Sequence, residues 1–180
     1  MTQAEDRELV ERFQSGEEGA FNLLVRKYQT RVFQLVYGFV GIHEEAQDLS
    51  QEIFLRAYQK LKEFRGESSF FTWLYRIAVN VSLNTVRKAR LRKFLSLENA
   101  GLTISNPAPL PDQLMEERET TRKLQRAIQK LPNKQKTVFL LRYYHQLPHA
   151  EIAQILNRDL GTIKANYHQA IKKLKKAVNG

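Results

Sequence analysis

Trp73, Arg76, Asn80, Asn84 and Arg87 stand three and four residues apart. On a helix that spacing gathers an indole, two amides and two guanidinium groups on one arc. Indoles stack on bases, amides hydrogen-bond base edges, and guanidinium groups pair with phosphates. The alternative is a solvated helix face with incidental amides. Arg90, Arg92 and Lys93 carry positive charge past the stripe, where a nucleic-acid backbone can be gripped. Unstacked bases expose the faces that aromatics need, so single-stranded DNA suits the arrangement best.

A second constellation is acidic. In "HEEAQDLSQE", Glu44, Glu45, Asp48 and Glu52 concentrate negative charge in a basic chain, and Asp48 and Glu52 share a face with Gln51 nearby. That face repels DNA. It is either ordinary solvated surface or a dock for a basic protein surface. A metal or acid–base centre is disfavoured, because no histidine–carboxylate cluster has ligand spacing and no glycine-rich phosphate loop is present. His145 and His149 are four apart, but Pro148 intervenes at a predicted helix start.

The third lies near the C-terminus. "PHAEIAQIL" and "GTIKANYHQAIKKLKKAV" are helical patterns joined only by "NRDL", which suggests a helix-turn-helix. Asp159 is placed to cap the second helix. Lys164, Asn166, Tyr167, His168 and Gln169 occupy its front, where base-contacting side chains lie when such a helix enters the major groove. Lys172, Lys173, Lys175 and Lys176 follow, and either hold phosphates or solvate the tail. Ile152, Ile155 and Leu156 should pack the unit together with Ile163 and Ile171.

These residues need helices to position them, and nearly every stretch reads as helix. Thr2 with Glu5 forms a capping box ahead of "DRELVERF". "EEGAFNLLVRKYQTRVFQLVYGFV" stops near Gly41. Ala46, Leu49, Ile53, Ala57 and Leu61 form one buried stripe. Gly66 separates that helix from the next, which Ser68 or Ser69 can cap and whose core arc is Phe70, Leu74, Ile77, Ala78 and Val81. Residues 94–115 hold three of the five prolines and no sustained period, so they read as a flexible linker. Helical periodicity returns from Glu116, with a break at Pro132. The expected fold is all-α: two small helical domains, 1–93 and 116–180, on either side of the linker.

Bulk properties agree with a polyanionic partner. The 180 residues carry a net charge of +10 and are 42% hydrophobic, enough for real cores. The absence of cysteine excludes a disulfide framework, a thiolate zinc site and a thiol nucleophile. No apolar run approaches the ~20 residues needed to span a bilayer. The acidic, amphipathic start is unlike a signal peptide, so a cytoplasmic location without membrane insertion is expected.

The combination of two readers, a tether and one acidic face resembles a known family. "DLSQEIFLRAYQKLKEFRGESSFFTWLYRIAVN" looks like region 2 of the bacterial extracytoplasmic-function sigma factors of the sigma-70 family. "LPNKQKTVFLLRYYHQLPHAEIAQILNRDLGTIKANYHQAIKKL" looks like their region 4. The resemblance implies a region 2 helical bundle and a region 4 helix-turn-helix. It implies binding to core RNA polymerase, at its clamp helices and flap, and promoter-specific initiation without enzymatic activity or cofactor. Asp48, Gln51, Glu52 and Leu55 would face the clamp helices. Phe64, Arg65, Ser68, Ser69, Trp73, Arg76, Asn80, Asn84, Arg87 and Lys88 would meet the single-stranded −10 element. The loop from Phe64 to Ser69, with Asn80 beneath it, would capture a flipped base. Thr162, Lys164, Ala165, Asn166, Tyr167, His168, Gln169 and Lys172 would read the duplex −35 element. Control by an anti-sigma factor, which can hold the protein near the membrane, is implied too.

The chain departs from the family pattern in its last helix. Ala165 replaces a serine, Asn166 and Gln169 replace arginines, and Ile171 stands where another arginine is usual. Phosphate contacts by Lys164 and the lysine tail gain weight as a result. Two other classes compete: a repressor or activator using only the helix-turn-helix, and a metal-dependent nucleic-acid enzyme built on Glu44, Glu45 and Asp48. The second lacks any further catalytic partner.

Overall fold

The computed structural model describes residues 3–97 and 115–179, which contain eight α-helices and no strand. They are α1 (Gln3–Gln14), α2 (Gly19–Val40), α3 (His43–Leu61), α4 (Phe70–Leu97), α5 (Met115–Lys130), α6 (Asn133–Tyr143), α7 (His149–Leu156) and α8 (Leu160–Asn179). Thr2, the expected first cap, lies outside the described residues, as do 98–114 of the expected linker. The flanks of that segment are helical: Phe94 to Leu97 continue α4, and Met115 opens α5.

The first four helices pack around α2. Its buried Leu24, Val32, Leu35 and Phe39 meet the stripe of Ala46, Leu49, Ile53, Ala57 and Leu61 on α3 and the front of α4. Each large apolar side chain buried this way contributes about 1.5–3 kcal/mol. α2 ends where Gly41 adopts φ +77°, and its N–H donates back to the Tyr37 carbonyl. α1 is pinned at a buried polar point, where the Asp6 carboxylate accepts from the Lys27 ammonium and the Tyr28 hydroxyl. Burial, with that hydrogen bond, raises the Tyr28 hydroxyl well above its ordinary pKa, so it stays a donor.

The last four helices form a smaller unit. Ile152, Ile155 and Ile163 are buried at its centre, while Leu156 and Ile171 pack partly buried at its edge. Asp159 caps α8 as expected: its Oδ1 accepts the Thr162 N–H at 2.7 Å. α7 begins after Pro148, which supplies no side-chain cap.

The two units are packed together. α7 lies against α4, and both α5 and α6 lie against α2. α2 and α6 approach tightly at Gly38, where a Cβ would stand 2.5 Å from Cδ2 of the buried Leu140. Glycine inside a helix costs roughly 1 kcal/mol against alanine; here it lets α2 and α6 approach. Beside it, Gln129 Nε2 donates to the Gly38 carbonyl at 3.0 Å. Gln129 also accepts from Lys136 Nζ, at 3.0 Å through its main-chain oxygen and 2.9 Å through Oε1. Lys136 is only 1% exposed, and burial draws its pKa down to about 8.

This packing buries more of α4 than a single arc. Phe71, Thr72, Tyr75, Val79 and Ser82 are buried along with Phe70, Leu74, Ala78 and Val81, while Ile77 is only partly covered. Tyr75 shows the cause, because its hydroxyl meets His145 Nδ1 of the second unit at 3.1 Å.

Candidate nucleic-acid interface

The loop between α3 and α4 shapes a cleft. Gly66 takes φ +71° and turns the chain. Ser69 then caps α4, with its Oγ accepting the Thr72 N–H at 3.1 Å. Phe64 packs on Trp73 with ring centroids 5.1 Å apart, and Phe70 supports Trp73 from behind at 5.8 Å. The result is a cleft of about 350 Å³ lined by Glu63, Phe64, Arg65, Glu67, Ser68, Trp73 and Arg76. It joins aromatic faces to a guanidinium group and a hydroxyl, a set that can stack a base and bond its edge. Glu63 and Glu67 were not singled out from the sequence.

Of the expected stripe, Trp73 is half-buried in this cleft, whereas Asn80, Asn84, Arg87 and Lys88 are exposed along the rest of α4. Asn80 lies one turn beyond Arg76 and does not line the cleft. Arg87 Nη1 stands 3.5 Å from the Asn84 side-chain oxygen, so these two are neighbours on one exposed face. Arg76 is turned toward the second unit: Nη2 donates to the Gln154 carbonyl at 2.8 Å and Nε to the Ile155 carbonyl at 3.3 Å. These are C-terminal carbonyls of α7, a position where a cation is favoured.

The acidic face of α3 is separate from this surface. Asp48 and Gln51 are exposed, and Leu55, 58% exposed, stands beside them. Glu52 pairs with Arg56 one turn on at 2.5 Å. Next to this face runs a groove of about 510 Å³ between α2 and α3, lined by Val25, Phe33, Phe54, Gln29, Gln47 and Gln51 among others. Only Gln51 of these was singled out from the sequence. The apolar members follow the helical period of the core and give no local sign of lining an open groove.

On α8, Thr162, Lys164, Ala165, His168, Gln169 and Lys172 are exposed on its outer side. Asn166 donates to the Thr162 carbonyl at 2.9 Å, so part of its amide is taken by its own helix. Tyr167 is half-buried, edge-on to His149 at 5.2 Å. His145 and His149 therefore serve different contacts. Among the described residues no group of three or more histidines, cysteines or carboxylates is placed to hold a metal.

Comparison with known proteins matches two stretches of the chain to two family models. Sigma-70 region 2 covers residues 24–92, and sigma-70 region 4 covers residues 121–174. The RNA polymerase sigma-H factor of Pseudomonas aeruginosa is 37% identical, over 99% of this chain and 96% of its own. The ECF RNA polymerase sigma factor SigW of Bacillus subtilis is 35% identical over 93% of both chains. The solved structure of CnrH in complex with the cytosolic domain of CnrY shares the fold, with a TM-score of 0.73 at 21% identity and 97% coverage of each chain. The sigma factor RpoE of Bartonella quintana, solved with the anti-sigma factor NepR, gives a TM-score of 0.67 at 20% identity, over 88% of this chain and 96% of that one. Identity at this level along nearly the whole length leaves one assignment: the chain belongs to the ECF RNA polymerase sigma factors.

Proposed function

We propose that this sigma factor captures and melts the −10 element with its first unit and reads the −35 element with α8, while α3 docks it on core RNA polymerase. As a member of its family it is a transcription initiation factor, not an enzyme. Residues 1–93 would form the −10 and polymerase-binding domain, 94–115 the linker, and 116–180 the −35 reader. The observation that carries the reading is the aromatic cleft at Phe64 and Trp73, continuous with the exposed Asn80, Asn84 and Arg87.

Unpairing and unstacking a base costs a few kcal/mol, which contacts made only to the open strand must offset. Stacking on an aromatic supplies about 1–3 kcal/mol per base. One captured base therefore repays the opening only if polymerase already holds the helix in place. Asp48, Gln51, Glu52 and Leu55 supply that hold through complementary charge and an exposed apolar side chain. On the duplex side, Lys164 and Lys172 would grip phosphates, while Thr162, Ala165, Asn166, Tyr167, His168 and Gln169 meet base edges or sugars. One similar structure is in complex with the anti-sigma factor NepR and another with the cytosolic domain of CnrY, which supports an anti-sigma partner for this chain. No helix among the described residues is long and apolar enough to cross a membrane.

The test is transcription in vitro with core polymerase and a genomic promoter library, with permanganate footprinting of unpaired thymines. Expected are discrete start sites that share two spaced elements, with strand opening at the nearer one. Holoenzyme that forms but opens no promoter would overturn the melting role.

A further inference from the structure

We propose that the cavity around Lys136, where α2, α3, α4, α5 and α6 meet, is a binding site for a small phosphate-bearing anion. It shares no residue with the cleft at Trp73, and no side chain of α8 lines it.

Lys136 carries the central observation. A lysine is rarely buried outright unless a carboxylate pairs with it. Lys136 is 1% exposed, yet it makes no ion pair among the described residues. Its ammonium has three protons to donate. Two go to Gln129, to the main-chain oxygen at 3.0 Å and to Oε1 at 2.9 Å. The third is left over at the wall of the cavity.

A second cation lines the same space. Arg90 makes neither a hydrogen bond nor an ion pair with the described residues. Its charge adds to burial in drawing Lys136 down to about 8, so both groups still carry charge at neutral pH. Glu45 of α3 also lines the cavity but pairs with neither, which leaves two cations against one carboxylate. Like charges held in one partly enclosed space repel, and a bound anion offsets both.

The donor set favours phosphate. The ammonium, the guanidinium fork and the half-buried Thr85 hydroxyl converge from α6 and α4. An oxyanion with several acceptor oxygens can meet all three. Gln129 is committed elsewhere, since its Nε2 donates to the Gly38 carbonyl while its oxygens hold Lys136 in place. The cavity measures about 220 Å³. That is below the ~300–1,000 Å³ of drug-sized ligand pockets, so it suits one phosphate group or the end of a small phosphomonoester. With donors from α4 and α6, the anion would bridge the two units.

Inorganic phosphate and pyrophosphate are titrated separately into the full chain, with ionic strength held constant by chloride. Amide shifts of the nitrogen-15-labelled protein and thermal unfolding are read. Expected is saturation with one constant at Thr85, Arg90, Gln129 and Lys136, and a rise in Tm of roughly 3–6 °C at ten times that constant. Lys136→Met keeps the buried stem without its charge, and Arg90→Gln alters an exposed side chain that the fold does not need. Each should weaken binding at least tenfold, whereas Lys62→Gln, at an exposed cation outside the cavity, should leave it unchanged. Shifts that never saturate, shifts spread over exposed lysines instead of these four residues, or binding unchanged in Arg90→Gln would each overturn the proposal. A last arm adds a 12-nucleotide single strand to the phosphate-loaded chain. Phosphate retained at these residues supports a small ligand; its displacement would give the cavity to a nucleic-acid backbone and overturn that assignment.

Discussion

The guanidinium of Arg76 and the carbonyl of Gln154 lie 2.8 Å apart although 78 residues separate them in sequence. Arg76 is the side chain that ties the expected DNA surface to the second unit. It also places a cation on the C-terminal carbonyls of α7.

Arg76→Ala should therefore loosen α7 first. Two hydrogen bonds from a charged donor are lost, each worth about 1.5–3 kcal/mol before water replaces it. Amide hydrogen exchange in α7 should quicken roughly tenfold or more, while exchange in α3 stays unchanged. Equal acceleration in both helices would mean that the substitution unfolds the first unit rather than freeing α7.

Acid should open the contact. Burial, reinforced by Arg31 of α2, lowers His145 to about 4, and Tyr75 of α4 also faces it. Nε2 of His145 has no hydrogen-bond partner among the described residues. The closed form thus holds the neutral imidazole, whereas an exposed one takes its proton near pH ~6.5. Docking is at full strength above that pH and weakens as pH falls toward 4, by on the order of 3 kcal/mol once complete. Energy transfer between the units should fall from pH 7 to 4.5, and His145→Gln should flatten the slope. A slope that persists in His145→Gln would remove His145 as its source.

Asn80→Ala and Asp48→Ala should separate melting from docking. The first is expected to slow open-complex formation about tenfold with core-polymerase affinity unchanged. The second should weaken core affinity several-fold with the helical content retained. Permanganate reactivity and fluorescence titration read the two quantities; loss of both in the Asn80→Ala variant would argue against a base-reading role.

Asp159→Ala should loosen the start of α8. Its carboxylate accepts from both the N–H and the hydroxyl of Thr162, and these hydrogen bonds hold it below the usual carboxylate range. The cap is intact at neutral pH and is lost as pH falls through that lowered pKa. Transcription from promoters with a −35 element should drop several-fold, with little change on templates opened in advance. An equal drop on both templates would move the defect away from duplex reading.

Much of this architecture was legible locally. The stop at Gly41, the cap at Ser69, the cap at Asp159 and the buried Ile152, Ile155 and Ile163 all follow from short-range rules of spacing and chain geometry. The aromatic start of α4 was legible as an anchor, and Phe64 with Trp73 does form the cleft. What escaped reading acts at a distance. Arg76 has the same spacing whether it faces DNA or α7, and His145 looks like any loop histidine until Tyr75 covers it. Nothing in its own segment marks Gly38, and only the facing Leu140 gives it a purpose. No period in a single segment encodes the surface of another.

The unbroken run of α4 from Phe70 to Leu97 has a metrical consequence. Its 28 residues make a stiff rod of about 42 Å. On the function proposed above, a captured base would sit at its first turn and the path to the second reader would leave from its last, so the gap between promoter elements would be gauged from the rod's far tip. Lengthening its last third by one turn should then shift that origin by ~5 Å, roughly one and a half base pairs along a duplex, and the preferred gap between elements with it.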